Sequence, residues 1–416
     1  MRGLDLAVGE REGLLDTVDA GRVLDHLRGE RDAMVRELTA LAEMESPTPE
    51  PRRQGPVFER LAGMLEAAGY RCRRFPGRES GGIMLAVPRA RERGRPYQLL
   101  LGHVDTVWPV GTLEEMPVRV DDGKLRGPGT FDMKGGLVQA AFALRALAEL
   151  DLEPGVTPVF LINSDEEQGS RDSRRHIERL ARRADRAFVM EPALGPSGAL
   201  KTARKGTGSF TVTVRGKSAH SGLAPEEGAS AIVALSEVVQ GLHELNDPER
   251  GVTVNVGTIE GGGRTNVIAE GARAEVGVRV ARSEDVDRLI EQIRGLSPSV
   301  PGTEVDVEGG LGRPPMERTP GVAVLWRAAD RIGHRLGLDL EEGRSGGASD
   351  GNLTARHVPT LDGLGAVGDG AHAAHEHVRI DAMPERAALL ALLLLLPDTG
   401  TLEQELNANR RPGEDE

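Results

Sequence analysis

The sequence predicts an α/β protein in which a smaller β-α-β-β-α-β segment interrupts a larger alternation of strands and helices. Short, nearly continuous apolar runs at residues 97–101 (Tyr-Gln-Leu-Leu-Leu), 157–162 (Thr-Pro-Val-Phe-Leu-Ile) and 187–190 read as central strands covered on both faces. Residues 135–150 lie between the first two and are Ala- and Leu-rich, so helix alternates with strand in the manner of an open α/β sheet. From about residue 205 the apolar period becomes two, as in Phe-Thr-Val-Thr-Val-Arg at 210–215, which marks half-buried strands of a different kind.

Taken in order, residues 22–44 place Val23, Leu24, Leu27, Met34, Val35, Leu38 and Leu41 at spacings of three, four and seven, the period of one amphipathic helix. Ser46-Pro47-Thr48-Pro49 stops it, and a helical pattern resumes over residues 56–68 before Gly69. In the inserted segment, residues 228–245 are helical, 252–259 and 274–280 alternate, 283–296 is helical with Ser283 as its N-cap, and 304–308 is a last strand. That segment of about 110 residues divides the chain into a discontinuous larger domain, 1–204 with 315–416, and an insertion at 205–314. The larger domain then continues with a helix near 321–336, a strand at 360–364 and a closing helix from Met383. Residues 1–20 and 399–416 are charged and poorly patterned, and are expected to be loosely held.

Composition excludes several classes of function. With 52 Lys+Arg against 65 Asp+Glu in 416 residues the formal charge is −13, which argues against non-specific binding to nucleic acid or anionic membranes. The longest wholly apolar run, residues 387–396, is half the length of a bilayer span and reads as a buried helix. A single cysteine, Cys72, excludes an internal disulfide, and charges at Arg2, Asp5, Glu10, Arg11 and Glu12 interrupt any apolar leader, so the expected location is the cytoplasm.

The chemistry-bearing residues cluster at predicted strand ends, where open α/β sheets place ligands. In Leu-Gly-His-Val-Asp-Thr-Val at 101–107, His103 ends an apolar strand and Asp105 points to the same side of an extended backbone. A carboxylate so placed can hold one ring nitrogen of a metal-bound histidine. The bland reading is a satisfied histidine in a turn. Asp132 stands before a helix in Thr-Phe-Asp-Met-Lys-Gly-Gly, where a simple N-cap is the alternative. Asp165, Glu166 and Glu167 emerge together from the most apolar strand. As a surface triplet they would mean nothing, but at the mouth of a buried strand they repel one another unless a cation or proton holds them. Glu191 follows the 187–190 strand, and His372, His375 and His377 lie in a late segment. Each signal is weak alone. Together two imidazoles and three carboxylates form a donor set suited to two neighbouring zinc ions.

The series His-x-Asp, Asp-Met-Lys-Gly-Gly, Glu-Glu, Glu-Pro and a late Gly-x-His resembles the co-catalytic zinc family of glutamate carboxypeptidase (carboxypeptidase G), aminoacylase, acetylornithine deacetylase and succinyl-diaminopimelate desuccinylase. The resemblance covers roughly residues 30–397. It implies a mixed-sheet zinc-exopeptidase catalytic domain with an inserted ferredoxin-like domain serving as lid and dimerisation surface. It further implies that Asp132 bridges two metals, with His103 and Glu191 completing one site and Glu167 and His372 the other. The ions would be zinc, with cobalt or manganese also suited. Asp105 would orient His103, and Glu166 would be the general base and acid for a zinc-bridged hydroxide. Asp132-Met133 matches the family's cis peptide.

In the insertion, Gly-Lys-Ser-Ala-His-Ser-Gly at 216–222 matches a loop whose histidine, here His220, would reach a partner subunit's active site and donate to the oxyanion. Residues 261–268 lack the spacing of a phosphate loop. The family uses the equivalent of Asn266 beside the substrate carboxylate and that of Arg313 to grip it. Gly347 falls in the Gly-Gly-x-x-Asp loop that lines the pocket. His372 fits the frame His-x-x-x-Glu-x-Val with Glu376 and Val378, with His375 or His377 as alternatives, and the role of Arg204-Lys205-Gly206 stays open. The resemblance thus implies a homodimeric hydrolase that cleaves an amide or peptide bond preceding a free carboxylate. The alternatives are a deacylase of N-acyl amino acids or another small metabolite, and, more remotely, a non-catalytic metal-binding dimer.

Overall fold

The apolar runs become the buried centre of a six-stranded mixed sheet. The computed structural model describes residues 19–92 and 94–408. Its strand order is Tyr70–Phe75, Ile83–Pro88, Thr157–Asn163, Tyr97–His103, Ala187–Val189, Thr360–Leu361. Tyr97–His103 is buried along its whole length and runs parallel to both neighbours, with His103 opposite Asn163 and Leu101 opposite Val189. Ile83–Pro88 and Tyr70–Phe75 add antiparallel strands at one side. Parallel central strands need cover on both faces. Gly135–Glu149 and the closing helix Ala382–Leu394, buried at nearly every position, supply much of it.

The end of that closing segment is secured by a buried cation. Arg186, fully buried, donates through Nε to Gln98 Oε1 (3.0 Å) and through Nη2 to the carbonyl of Leu396 (2.8 Å). Carbonyls past a helix end have no partner within the helix, so the guanidinium fork satisfies what the chain leaves open. Among the described residues, no single helix is long and apolar enough to cross a membrane.

Three expectations are corrected. The first helix is two, Ala20–Gly29 and Arg31–Ala42, because no large apolar residue lies between Leu27 and Met34 to bind the turn at Glu30 to the core. The tail at 399–408 is held rather than loose. Thr399–Ala408 is helical, and Leu402 and Leu406, four residues apart and so on one face, are both buried. Ser283 is not an N-cap, since a 3₁₀ turn, Ser283–Asp285, precedes the helix Val286–Arg294 and the Ser283 hydroxyl donates instead to Glu317 Oε2 at 2.8 Å. The first 18 residues and 409–416 lie outside the described residues.

The chain divides into two compact units. The larger comprises Met1–Lys201, Thr319–Gly343 and His357–Glu416, the smaller Thr202–Arg318 and Arg344–Arg356. In the smaller unit an antiparallel sheet has the order Thr253–Gly261, Gly271–Val280, Gly206–Arg215, Glu304–Arg313, with helices Ala231–Glu244 and Val286–Arg294 packed on it. In Gly271–Val280 the buried residues are Ala272, Ala274, Val276, Val278 and Val280, strict alternation with one face on the core. This is the ferredoxin-like β-α-β-β-α-β arrangement. The segment Arg344–Arg356 joins it through Lys205 N–H to the Ser345 carbonyl (3.0 Å) and Asn352 Nδ2 to the Pro314 carbonyl (2.8 Å).

Candidate metal centre

His103, Glu166, Glu167 and Glu191 sit where a strand stops and the backbone is free to turn. His103 is the last residue of its strand, and Glu191 follows Ala187–Val189 closely. Glu166 and Glu167 open the short 3₁₀ turn Glu166–Gln168 after Thr157–Asn163, closed by Gly169 in the left-handed region (φ 89°). Asp132 lies in an irregular turn ahead of Gly135–Glu149, with the Asp132–Met133 peptide cis. His372 occupies a left-handed conformation (φ 59°), one that a non-glycine residue adopts mainly where its surroundings enforce it.

These five side chains converge. His103 Nε2 lies 3.4 Å from Asp132 Oδ1 and 3.4 Å from Glu191 Oε1. His372 Nε2 lies 3.4 Å from Asp132 Oδ2 and 3.2 Å from Glu167 Oε2. Each trio offers three donor atoms within 4.8 Å of one another, and Asp132 belongs to both, one oxygen in each. His103, Asp105, Glu166 and Glu191 are buried, whereas His372 is half exposed.

The donors fit cations and fit little else. His103 Nε2, Asp132 Oδ1 and Glu167 Oε1 are buried yet have no hydrogen-bond partner, and a buried polar group so placed is costly unless something binds it. His103 Nδ1 meets the Asp105 carbonyl at 2.9 Å. A carbonyl only accepts, so Nδ1 carries the hydrogen and Nε2 presents its lone pair to the centre. The ionisations agree. Burial opposes a charge on His103, but Asp105, Asp132 and Glu191 outweigh it and hold its pKa well above the usual value. Asp132 and Glu167 push His372 up to about 10. Burial raises Asp132, yet both histidines bring it well below the carboxylate range, while burial and then Asp132 raise Glu167. In such a cluster protons stand where cations would bind.

Asp105 faces His103 Nδ1 with two groups, its carbonyl at 2.9 Å and its carboxylate at 3.4 Å. The carboxylate also gathers the neighbouring turn: Oδ1 accepts from Glu166 N (3.3 Å), and Oδ2 from Glu167 N (3.2 Å) and Thr48 Oγ1 (2.8 Å). Glu166 thereby has its backbone fixed beside the centre without belonging to either trio. His375 and His377 lie outside both trios as well: His375 faces Asp369, and His377 Nδ1 contacts the His375 carbonyl.

Sequence reasoning gave no role to Glu376, Trp108 or Lys134. Glu376, fully buried, accepts from Trp108 Nε1 (2.7 Å) and from the backbone N–H of Gly129 (2.9 Å), Phe131 (2.9 Å) and Asp132 (3.0 Å). Lys134, also buried, donates to the Met44 carbonyl at 2.8 Å, and burial brings its pKa down to about 8.

The remaining predicted residues belong to the smaller unit. His220 is exposed, and its Nδ1 accepts from Gly222 N and Leu223 N, both at 3.1 Å, so a neutral ring carries its hydrogen on Nε2 as an available donor. Asn266 is its neighbour, because Ser221 N–H donates to the Asn266 carbonyl at 3.1 Å. Arg313 is buried with Nη2 3.2 Å from Asp350 Oδ1. The Gly347 carbonyl accepts from Arg204 Nη1 at 3.1 Å, which gives Arg204 a place in holding that loop.

Comparison with known proteins points the same way. Residues 99–396 match the family described as peptidase family M20/M25/M40. Carboxypeptidase G2 of Pseudomonas sp. (strain RS-16) is 30% identical over 375 residues, covering 88% of this chain and 89% of that protein. A succinyl-diaminopimelate desuccinylase of Paracidovorax citrulli is 32% identical over 346 residues, 78% of this chain and 88% of its own. Among solved structures, aminopeptidase PepT of Bacillus cereus superposes with a TM-score of 0.73 at 23% identity, covering 89% of this chain and 99% of that one. The YxeP protein of Bacillus subtilis, described as a dinuclear metal-binding peptidase, gives 0.67 at 16%, covering 90% and 99%.

Proposed function

This chain belongs to the peptidase family M20/M25/M40 and is a metal-dependent hydrolase of that family, and from this premise we propose that it cleaves an amide or peptide bond preceding a free carboxylate, using two zinc ions. The observation that carries the reading is Asp132, whose two oxygens face two histidines in two donor trios. His103 and Glu191 would hold one ion and Glu167 and His372 the other, with Asp132 shared. An imidazole with carboxylates suits zinc, and manganese or cobalt less specifically. Bound there, the ions polarise the scissile carbonyl and lower the pKa of the attacking water. Glu166 takes the water's proton and returns it to the departing amine, a task that suits a buried carboxylate fixed next to the ligands but outside them. By the family resemblance, His220, with a free Nε2 donor, would stabilise the oxyanion in a partner subunit's active site, and Asn266, Arg313 and Gly347 are the residues assigned to the substrate carboxylate. The likeness to carboxypeptidase G2 supports the carboxypeptidase reading. The likeness to a desuccinylase supports a second one, deacylation of a small N-acyl amino acid on the same machinery.

The smaller unit supports a homodimer. Thr253–Gly261 ends its sheet with an unpaired edge, Ile259 on it is exposed, and Ile232 and Val233 are exposed on the helix Ala231–Glu244. An open edge beside apolar residues is a surface that proteins usually cover.

The test is amine release from a panel of N-acyl amino acids, dipeptides and benzoyl- or folyl-glutamates by zinc-loaded protein. Chelator should abolish it, and Glu166→Gln should keep both ions while losing several orders of magnitude in kcat. Near-full activity in Glu166→Gln removes the assigned base. Absence of chelator-sensitive release across the panel removes the carboxypeptidase reading.

A further inference from the structure

The dinuclear centre proposed above draws on loops far apart in sequence, and the carboxylate of one residue joins two of them to a third that carries it. Glu376 is 1% exposed, and each of its oxygens receives two N–H donors. Oε1 takes the backbone N–H of Phe131 and of Asp132 itself, while Oε2 takes Gly129 N–H and the Trp108 indole. Trp108 follows His103 by five residues. The Glu376 backbone closes the turn of His372, since its N–H donates to the Ala373 carbonyl (2.9 Å) and its carbonyl accepts from Gly127 N (3.3 Å). Loops bearing His103, Asp132 and His372 therefore meet on one residue that lies in neither donor trio.

We propose that Glu376 is a positioning residue of the dinuclear centre: it fixes the backbone of the shared ligand Asp132 relative to the histidine-bearing loops, and Trp108 is the donor that fixes Glu376. This rests on the dinuclear reading of the site. A carboxylate is required rather than any polar group, because all four surrounding groups are donors and only an acceptor-only side chain matches them. In Glu376→Gln the amide nitrogen must oppose two N–H groups whichever way it is turned. The easier orientation places it toward Oε2's partners, since Trp108 is a side chain and Phe131 and Asp132 offer backbone. Removing the indole donor with Trp108→Phe then relieves half of the mismatch.

The experiment measures zinc affinity, not turnover, by competition between the folded protein and a chromophoric chelator, with stoichiometry from metal analysis. Outer residues that hold ligands typically control affinity by 10–100-fold. Wild type should bind two ions. Glu376→Gln should weaken at least one by about 10–100-fold, and Glu376→Gln with Trp108→Phe should bind several-fold tighter than Glu376→Gln alone. Wild-type affinity at both sites in Glu376→Gln overturns the proposal, as does a double variant no tighter than the single one. A wild-type protein that binds fewer than two ions overturns the dinuclear reading instead, so the two failures are distinct. If Glu376→Gln does not fold, Trp108→Phe alone decides: a few-fold loss of affinity supports the role, and unchanged affinity refutes it.

Discussion

Asp105→Asn separates two ways in which this aspartate could serve the centre. The substitution keeps size and shape and removes one acceptor oxygen. If the carboxylate oriented His103, the change would disturb the ligand and a metal would be lost. The nearer contact argues for the other way: the carbonyl of Asp105 is 2.9 Å from His103 Nδ1, against 3.4 Å for its carboxylate, and is untouched by the change. What is lost lies on the other side. Oδ1 serves Glu166 N–H and Oδ2 serves Glu167 N–H and the Thr48 hydroxyl, all buried or nearly so. The least costly placement of the amide nitrogen is the Oδ1 side, because the Oδ2 position then keeps both of its hydrogen bonds, while Glu166 N–H, and more distantly His103 Nδ1 at 3.4 Å, face the nitrogen. One buried N–H is left opposed, a cost of about 1–3 kcal/mol in unfolding free energy. The turn at Glu166 yields first, so kcat should fall about 10–100-fold with little change in KM. Urea unfolding, steady-state kinetics and metal analysis on one preparation read all three quantities. Loss of one equivalent of zinc from Asp105→Asn would refute the assignment of ring orientation to the backbone.

Metal binding and the stability of the metal-free protein should depend on pH with opposite signs. In the metal-free form His372 is pushed up to about 10 and must lose its proton to bind, so calorimetry should show proton release and zinc affinity should rise from pH 6 to 9. A histidine raised by its partners contributes stability that is complete below its unfolded value near 6.5 and is lost as pH climbs through about 10. Metal-free protein should therefore lose thermal stability between pH 7 and 10. Gly136→Ala should destabilise by about 1–3 kcal/mol or more, because a Cβ there would collide with the Met190 carbonyl oxygen, backbone beside Glu191 that cannot step aside; a wild-type urea midpoint would contradict this close approach. Ile259→Arg should shift the protein to a monomer in sedimentation, whereas an unchanged mass would remove the edge strand from the dimer surface.

What the sequence made legible depended on how local the physics was. His103, Glu167 and Glu191 are readable because each stands just past an apolar strand, whereas Asp132 and the choice of His372 over His375 and His377 rest on the family resemblance. The central strands were readable because burial on both faces leaves a continuous apolar run. The pair Tyr70–Phe75 and Ile83–Pro88 was missed: the first is an arginine-rich strand at the sheet's edge, with no such run. The tail helix was hidden by its charges, since only Leu402 and Leu406 mark its buried face. Glu376 was visible only as a letter in a pattern. Its partners are Trp108 and Asp132, 268 and 244 residues away, and no local period encodes such a contact.

The way the carboxylates are held bears on what the site is for. Asp105 and Glu376 are both buried, and apart from the longer approach of His103 Nδ1 to Asp105 the groups that hydrogen-bond them are peptide N–H groups, a threonine hydroxyl and an indole. Lys134, the nearby buried cation, gives its hydrogen bond to the Met44 carbonyl. Neutral dipoles fix the position of a carboxylate without cancelling its charge, whereas an arginine fork would do both. The cluster therefore keeps a surplus of negative charge in a buried setting, an arrangement that costs stability until cations arrive. At His103 the Asp105 carbonyl, 2.9 Å from Nδ1, fixes the hydrogen on that nitrogen and leaves the Nε2 lone pair to the metal. Stability given up in the metal-free site returns as metal affinity, whereas Asn or Gln at the outer carboxylates recovers none of it, because each leaves a buried N–H opposed.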